Sequence, residues 1–112
     1  MQITQEVENF SFKAADGMTL TLERKRLRKA VNPIPVLMAH GAGVRSRIFT
    51  PPRMTGQNLD NTLAAAGFDV FNLDWRASID LPPNHWTLDR AAVFDYPAAI
   101  EKILEITGQK EV

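Results

Sequence analysis

Apolar and polar residues alternate with period two over Val7-Glu8-Asn9-Phe10-Ser11-Phe12-Lys13, a pattern that predicts a half-buried β-strand. Asp16-Gly17 follows as a turn, with the glycine free to take positive φ. Met18, Leu20 and Leu22 resume the alternation on one face, so the two runs predict an antiparallel hairpin. The next run, Arg24-Lys25-Arg26-Leu27-Arg28-Lys29, holds five basic residues in six. It reads as a strand end whose charges stay in water and protect an exposed edge. Phosphate or acidic-lipid binding is the competing reading, and the absence of interleaved aromatics speaks against it.

Asn32-Pro33-Ile34-Pro35 interrupts the pattern, and Val36-Leu37-Met38-Ala39 is a continuous apolar run. Such runs are buried on both faces, as in the middle of a parallel sheet. His40-Gly41-Ala42-Gly43 ends it abruptly. After a loop containing Pro51-Pro52, residues 56–66 have helical composition and spacing, and Gly67 stands where a helix C-terminal cap belongs. Phe68 to Asp74 reads as another strand, so strand, helix and strand with short joins form a βαβ unit with parallel strands. A proline-rich loop spans residues 76–86. From Asp89 to Thr107 the pattern is helical again, with Tyr96, Ala99, Ile100, Ile103 and Leu104 on one stripe. Pro97 fits near a helix start with Asp95 as the N-cap, which predicts a short turn leading into the main helix. Gly108 closes that helix, and Gln109 to Val112 reads as the approach to one more strand. The expected architecture is α/β: an N-terminal hairpin, then βαβα with a parallel sheet, in one domain over residues 1–112.

Composition narrows the function classes. A chain of 112 residues that is 45% hydrophobic and 23% charged suits one small core and argues against disorder. Thirteen basic residues cancel thirteen acidic ones, so no overall field attracts nucleic acid or an anionic membrane. Cysteine is absent, which removes disulfides, thiolate nucleophiles and zinc–thiolate sites. His40 and His85 stand 45 positions apart with no His-Glu-x-x-His pattern, giving no metal site. The longest apolar runs fall far short of a membrane span, and the opening residues lack the basic start and apolar core of a signal peptide. The expectation is a soluble, intracellular (cytoplasmic) domain with no cofactor.

In an open α/β sheet, ligands sit beyond the carboxyl ends of the parallel strands. Here those ends are His40-Gly41-Ala42-Gly43 and Asp74-Trp75-Arg76. The glycine-rich segment lets backbone N–H groups approach an anionic oxygen, as acyl transfer requires. A dinucleotide loop is the competing reading. Gly41 and Gly43 supply its first two glycines, but Ser46 occupies the third position, Pro51-Pro52 delays the helix, and Asp74 comes about ten residues later than the usual spacing. His40 reads as a buried histidine bonded to backbone. Asp74 and Arg76 either line a pocket mouth or pair with each other. Trp75 and Trp86 read as packing residues, and His85 as an ordinary exposed side chain.

The order hairpin, apolar strand, His-Gly-x-Gly, helix and a strand ending in Leu73-Asp74-Trp75-Arg76 resembles the N-terminal half of the α/β-hydrolase fold. Phe94-Asp95-Tyr96-Pro97-Ala98-Ala99-Ile100 and Thr107-Gly108-Gln109-Lys110 are similar to its acid-lipase branch. Leu73 to Pro82 also resembles hydrolase-like domains that accompany bacterial flavin-dependent sterol oxidases. The resemblance implies ester hydrolysis of a small-molecule or lipid substrate. It implies Ala42 as one oxyanion N–H on a loop shaped by His40, Gly41 and Gly43, with Asp74, Trp75 and Arg76 at the pocket mouth. It also places the nucleophile in a Gly-x-Ser-x-Gly elbow after the next strand, then the acid and the histidine. Val112 precedes that elbow, and Ser11, Ser46 and Ser78 have no elbow context. The expectation is therefore a chain inactive by itself. A non-catalytic module that pairs with itself or another chain through an exposed Val36–Ala39 edge is the first alternative, and a nucleotide-binding domain the second.

Overall fold

The computed structural model describes residues 5–27, 32–50 and 58–112. β1 (Gln5–Lys13) and β2 (Thr19–Leu27) form the expected hairpin, with Phe10 opposite Leu22 and Phe12 opposite Leu20. Gly17 takes φ +91° in its turn, which a side chain would strain. β3 (Pro35–Ala39) runs parallel to β4 (Asp69–Asp74), joined through α1 (Leu59–Ala65). β4 also pairs antiparallel with β2, so the four strands make one mixed sheet in the order β1-β2-β4-β3. This is an α/β fold in which the hairpin feeds a parallel pair.

Helices cover both faces. On one side Leu20, Leu22, Phe71, Leu73 and Trp75 pack against Ala91, Ala99 and Ile103. On the other, Met38 and Val70 pack against Ala64, with Leu63 and Phe68 beside them. β4 is the fully buried strand because it lies between β2 and β3 with a helix on either face. The apolar run Val36–Ala39 has the composition of a strand buried on both faces, yet it sits at an edge of the described sheet, the exposed edge expected of it. Val36 and Leu37 are only half-buried there.

Two local readings need correcting. Arg24 and Lys25 are not solvated edge charges, since β2 is an interior strand and both side chains are buried. Arg24 makes a two-pronged pair with Asp69, at 2.8 Å and 2.6 Å, and its guanidinium lies 5.3 Å from the Phe71 ring centroid. Lys25 Nζ sits 3.0 Å from the fully buried Asp60, whose carboxylate also accepts from Thr50 and from Asn72. Burial pushes the Asp60 pKa up, but the bonds from Thr50, Lys25 and Asn72 outweigh it and hold the carboxyl below its ordinary value. Arg28, Lys29, the Pro51-Pro52 loop and the expected helix start at 56–57 lie outside the described residues.

The second correction concerns Asp95. α2 (Leu88–Arg90), a π-helical turn (Ala91–Asp95) and α3 (Tyr96–Thr107) follow one another without a break. Asp95 has helical dihedrals and makes no cap bond. Pro97 has no N–H, and its ring would crowd the carbonyl one turn back in a regular α-helix. The widened turn, in which the Tyr96 N–H reaches back to the Ala91 carbonyl, absorbs that conflict. It leaves Asp95 facing inward and completely buried. Gly108 ends α3 in the left-handed conformation, donating to the Leu104 carbonyl. Residues 108–112 are not a strand.

Candidate functional site

The carboxyl ends of β3 and β4 lie side by side, so the loops leaving them are neighbours. From β3 the chain passes through His40 and turns at Gly43, whose φ of +75° requires glycine. At Gly41 an added Cβ would meet nothing closer than Val44, at 3.9 Å. The glycine requirement thus falls on position 43. The Gly43 N–H donates to the Ala77 carbonyl and the Ile79 N–H to the Val44 carbonyl, which ties the β3 loop to the β4 loop by its backbone.

Asp74 is the side-chain knot of this junction. Its Oδ1 accepts from the Ser46 N–H and from the Ser78 hydroxyl, each at 2.8 Å, and its Oδ2 accepts from the Ser46 hydroxyl at 2.7 Å. These bonds anchor the loop just beyond Gly43, while β3 anchors it before. Ala42 lies between the anchors, exposed, and its N–H donates to no acceptor among the described residues.

His40 is 3% exposed and bonds to backbone, with Nδ1 2.6 Å from the Gly41 carbonyl oxygen. A carbonyl only accepts, so Nδ1 carries the hydrogen. Nε2 lies 3.6 Å from Asp74 Oδ1, too far for a hydrogen bond, and forms an ion pair only when the ring gains a second proton. The ring stacks on Trp75 at 5.5 Å between centroids, and the Trp75 indole N–H donates to the His40 carbonyl. Trp75 is core, with Trp86 edge-on to it at 6.0 Å. His85 is exposed.

Asp74 and Arg76 do not pair with each other. Arg76 turns the opposite way, and its Nε and Nη2 engage Asp95 at 2.7–3.0 Å. Its Nη1 and Nη2 engage Asp16 at 2.9 Å and 3.0 Å. The Arg76 backbone N–H also donates to Asp95. Those bonds hold the guanidinium even more firmly protonated than usual, and the bond from Arg76 holds the Asp16 carboxyl below its ordinary value. Burial, and then the Asp95 charge, pushes the Tyr96 hydroxyl up. The Arg76 guanidinium is thus structural, although the residue lines a cleft of about 370 Å³ together with Gly43, Ser78 and residues of the 79–86 loop.

Of the residues expected at the site, His40, Gly41, Ala42, Gly43 and Asp74 come together, while Trp75 and the Arg76 side chain belong to the core. Ser46 and Ser78, both ligands of Asp74, carry no motif that marks them. Among the described residues no group of three or more His, Asp or Glu side chains is placed to hold a metal ion. No helix among them is long and apolar enough to cross a membrane.

No protein-family description matches the chain. Lipase lipl-3 of Caenorhabditis elegans is similar to it, with 31% identity over 120 residues. That match takes in 92% of this chain. The relationship is lipase-like. The chain spans only 30% of the length of that relative.

The bonding around Asp74 makes a direct prediction. Asp74→Ala leaves three donors without their acceptor, a loss on the order of 1–3 kcal/mol. The Gly43 amide keeps its own acceptor in this variant, so its hydrogen exchange reports the loop as a whole. We expect that exchange to speed up by about tenfold or more; unaltered Gly43 protection would show that Asp74 does not hold the loop.

Proposed function

We propose that these residues form the N-terminal part of a lipase- or esterase-like α/β hydrolase that acts on carboxylic esters. The observation that carries the reading is the unspent Ala42 N–H, exposed on a loop fixed at both ends beside the carboxyl ends of two parallel strands. When a nucleophile attacks an ester carbonyl, negative charge develops on the carbonyl oxygen. A donor already fixed in place stabilises that charge without reorganising. The lipase-like relationship and the similarity of residues 94–100 and 107–110 to acid lipases support the same reading.

Among the described residues no serine hydroxyl is paired with a histidine. The Ser46 and Ser78 hydroxyls donate to Asp74, and His40 Nε2 makes no hydrogen bond to either serine. In the family that the sequence resembles, the nucleophile, acid and histidine follow the segment matched here. His40, Gly41 and Gly43 shape the oxyanion loop, and Asp74 positions it. The nucleotide-binding alternative fits less well, since the loop runs into a single 3₁₀ turn, Ser46–Phe49, rather than the N-terminus of a long helix.

A chimera in which this chain replaces the aligned segment of lipase lipl-3 tests the reading. It should hydrolyse p-nitrophenyl butyrate, whereas the 112-residue chain alone should not exceed background. Removing the donor with Ala42→Pro should lower kcat of the chimera by about 10²–10³-fold. A folded but inactive chimera, or full activity after Ala42→Pro, would contradict it.

The second reading, pairing between chains, rests on β3, which among the described residues bonds β4 on one side only. An open edge with half-buried Val36 and Leu37 is a template for another strand. Light scattering at micromolar concentration decides it. A dimer that Leu37→Lys dissociates favours edge-to-edge pairing, and a monodisperse monomer excludes it.

A further inference from the structure

The Gly41 carbonyl and the Ala42 N–H belong to one planar, trans peptide group, so whatever grips the carbonyl also aims the N–H. His40 grips it. Its Nδ1 stands 2.6 Å from the Gly41 oxygen, and its side chain is fully buried. The other ring nitrogen is unspent. Nε2 is buried, has no hydrogen-bond partner among the described residues, and lies 3.6 Å from Asp74 Oδ1.

The two ring nitrogens decide which protonation state suits these surroundings. In the neutral ring the hydrogen sits on Nδ1, so Nε2 is a bare acceptor beside a carboxylate oxygen that is also an acceptor. A second proton turns that contact into an ion pair, and a shift of under about 1 Å brings it to charge-assisted hydrogen-bond length. The Trp75 ring, stacked 5.5 Å from the imidazole, favours the cation as well. Other charges nearby are engaged elsewhere. Arg45 pairs with Asp80 at 3.4 Å, and Arg76 pairs with Asp16 and Asp95. From α3, Tyr96 lies 5.8 Å from Trp75, and burial pushes its hydroxyl up, so it stays uncharged.

We propose that His40, carrying both ring protons, is the positioning residue of the Ala42 N–H. Nδ1–H holds the Gly41–Ala42 peptide plane, and Nε2–H holds Asp74, the carboxylate that anchors Ser46 on the other side of Ala42. The charge also draws electron density toward the Gly41 oxygen, which makes the Ala42 N–H of the same peptide a stronger donor. The link is complete in acid and is lost as pH rises and Nε2 gives up its proton. That this N–H serves an oxyanion rests on the hydrolase reading; the coupling of His40 to it does not.

The test is a pH titration of the ¹⁵N-labelled chain by NMR from about pH 5 to 8, the range in which a histidine changes charge. Ring ¹⁵N shifts report the protons on His40, and the exposed His85 gives an internal reference. His40 is expected to carry two protons at the acid end, and the Ala42 amide shift should follow its midpoint rather than that of His85. His40→Gln, which keeps an N–H donor but not the charge, should abolish the Ala42 response, with the Trp75 indole signal reporting an intact fold. In the lipl-3 chimera the same substitution should lower kcat about tenfold and leave KM nearly unchanged. The inference is overturned by a ring with one proton throughout, by an Ala42 amide that stays put while His40 titrates, or by a response that survives His40→Gln. An undiminished kcat would overturn it too. An active chimera with an uncoupled Ala42 amide refutes this inference and leaves the hydrolase reading standing; a coupled amide in an inactive chimera does the reverse.

Discussion

A guanidinium buried between two carboxylates joins the three parts of this fold. Arg76 leaves the end of β4, reaches Asp95 in the π-helical turn before α3, and reaches Asp16 in the β1–β2 turn. Arg76 and Asp95 are each almost fully out of water. Desolvating two such charges is costly, and only good geometry with further hydrogen bonds offsets it. Here the fork of Arg76 is matched on both sides, and Asp95 gains the Arg76 backbone N–H as well. The Phe94 ring centroid lies 5.7 Å from the same guanidinium. Because the pairing is directional, it sets where the helix lies along the sheet more tightly than apolar packing of Ala99 and Ile103 does.

The candidate site hangs from this arrangement. With Arg76 turned toward Asp16 and Asp95, Asp74 two residues earlier faces the opposite way and is free to gather Ser46 and Ser78. β4 ends at Asp74 and Arg76 already lies in the turn that follows, so the two side chains part company there and serve two tasks: Arg76 fixes the scaffold and Asp74 fixes the loop. Ala42 is then held in place by contacts it does not itself make. A donor whose position is set in advance by its neighbours is what oxyanion stabilisation requires.

Much of the scaffold was legible in the sequence because its signals are local. The alternation in β1 and β2, the helix before Gly67, the parallel pair and the glycine stop at Gly108 each depend on residues a few positions apart. The pairings that decide burial are not local. Arg24 finds Asp69 across 45 positions of chain, Ser46 finds Asp74 across 28, and Arg76 finds Asp95 across 19. A basic run therefore read as solvated although its carboxylate partners lie on other elements. Asp95 before Pro97 read as a helix cap because the short-range pattern is the same. The His-Gly-x-Gly loop was legible as a motif, but the serines that hold it carry no such pattern, and Arg76 read as a pocket residue because its chain position next to Asp74 hides its opposite direction.

The dependence of the fold on the Arg76 junction is most directly tested by chemical denaturation of Arg76→Leu, with near-ultraviolet circular dichroism of Trp75 and Trp86 recorded on the same samples. Removing one partner leaves Asp95 buried without its counter-charge, which is expected to cost about 3–5 kcal/mol. That is a large share of the roughly 5–15 kcal/mol available to a small domain. The account predicts a loss of that size together with a weakened tryptophan signal as α3 loosens from the sheet. A loss below about 1 kcal/mol with an unchanged signal would fall within the range of exposed ion pairs and would contradict it.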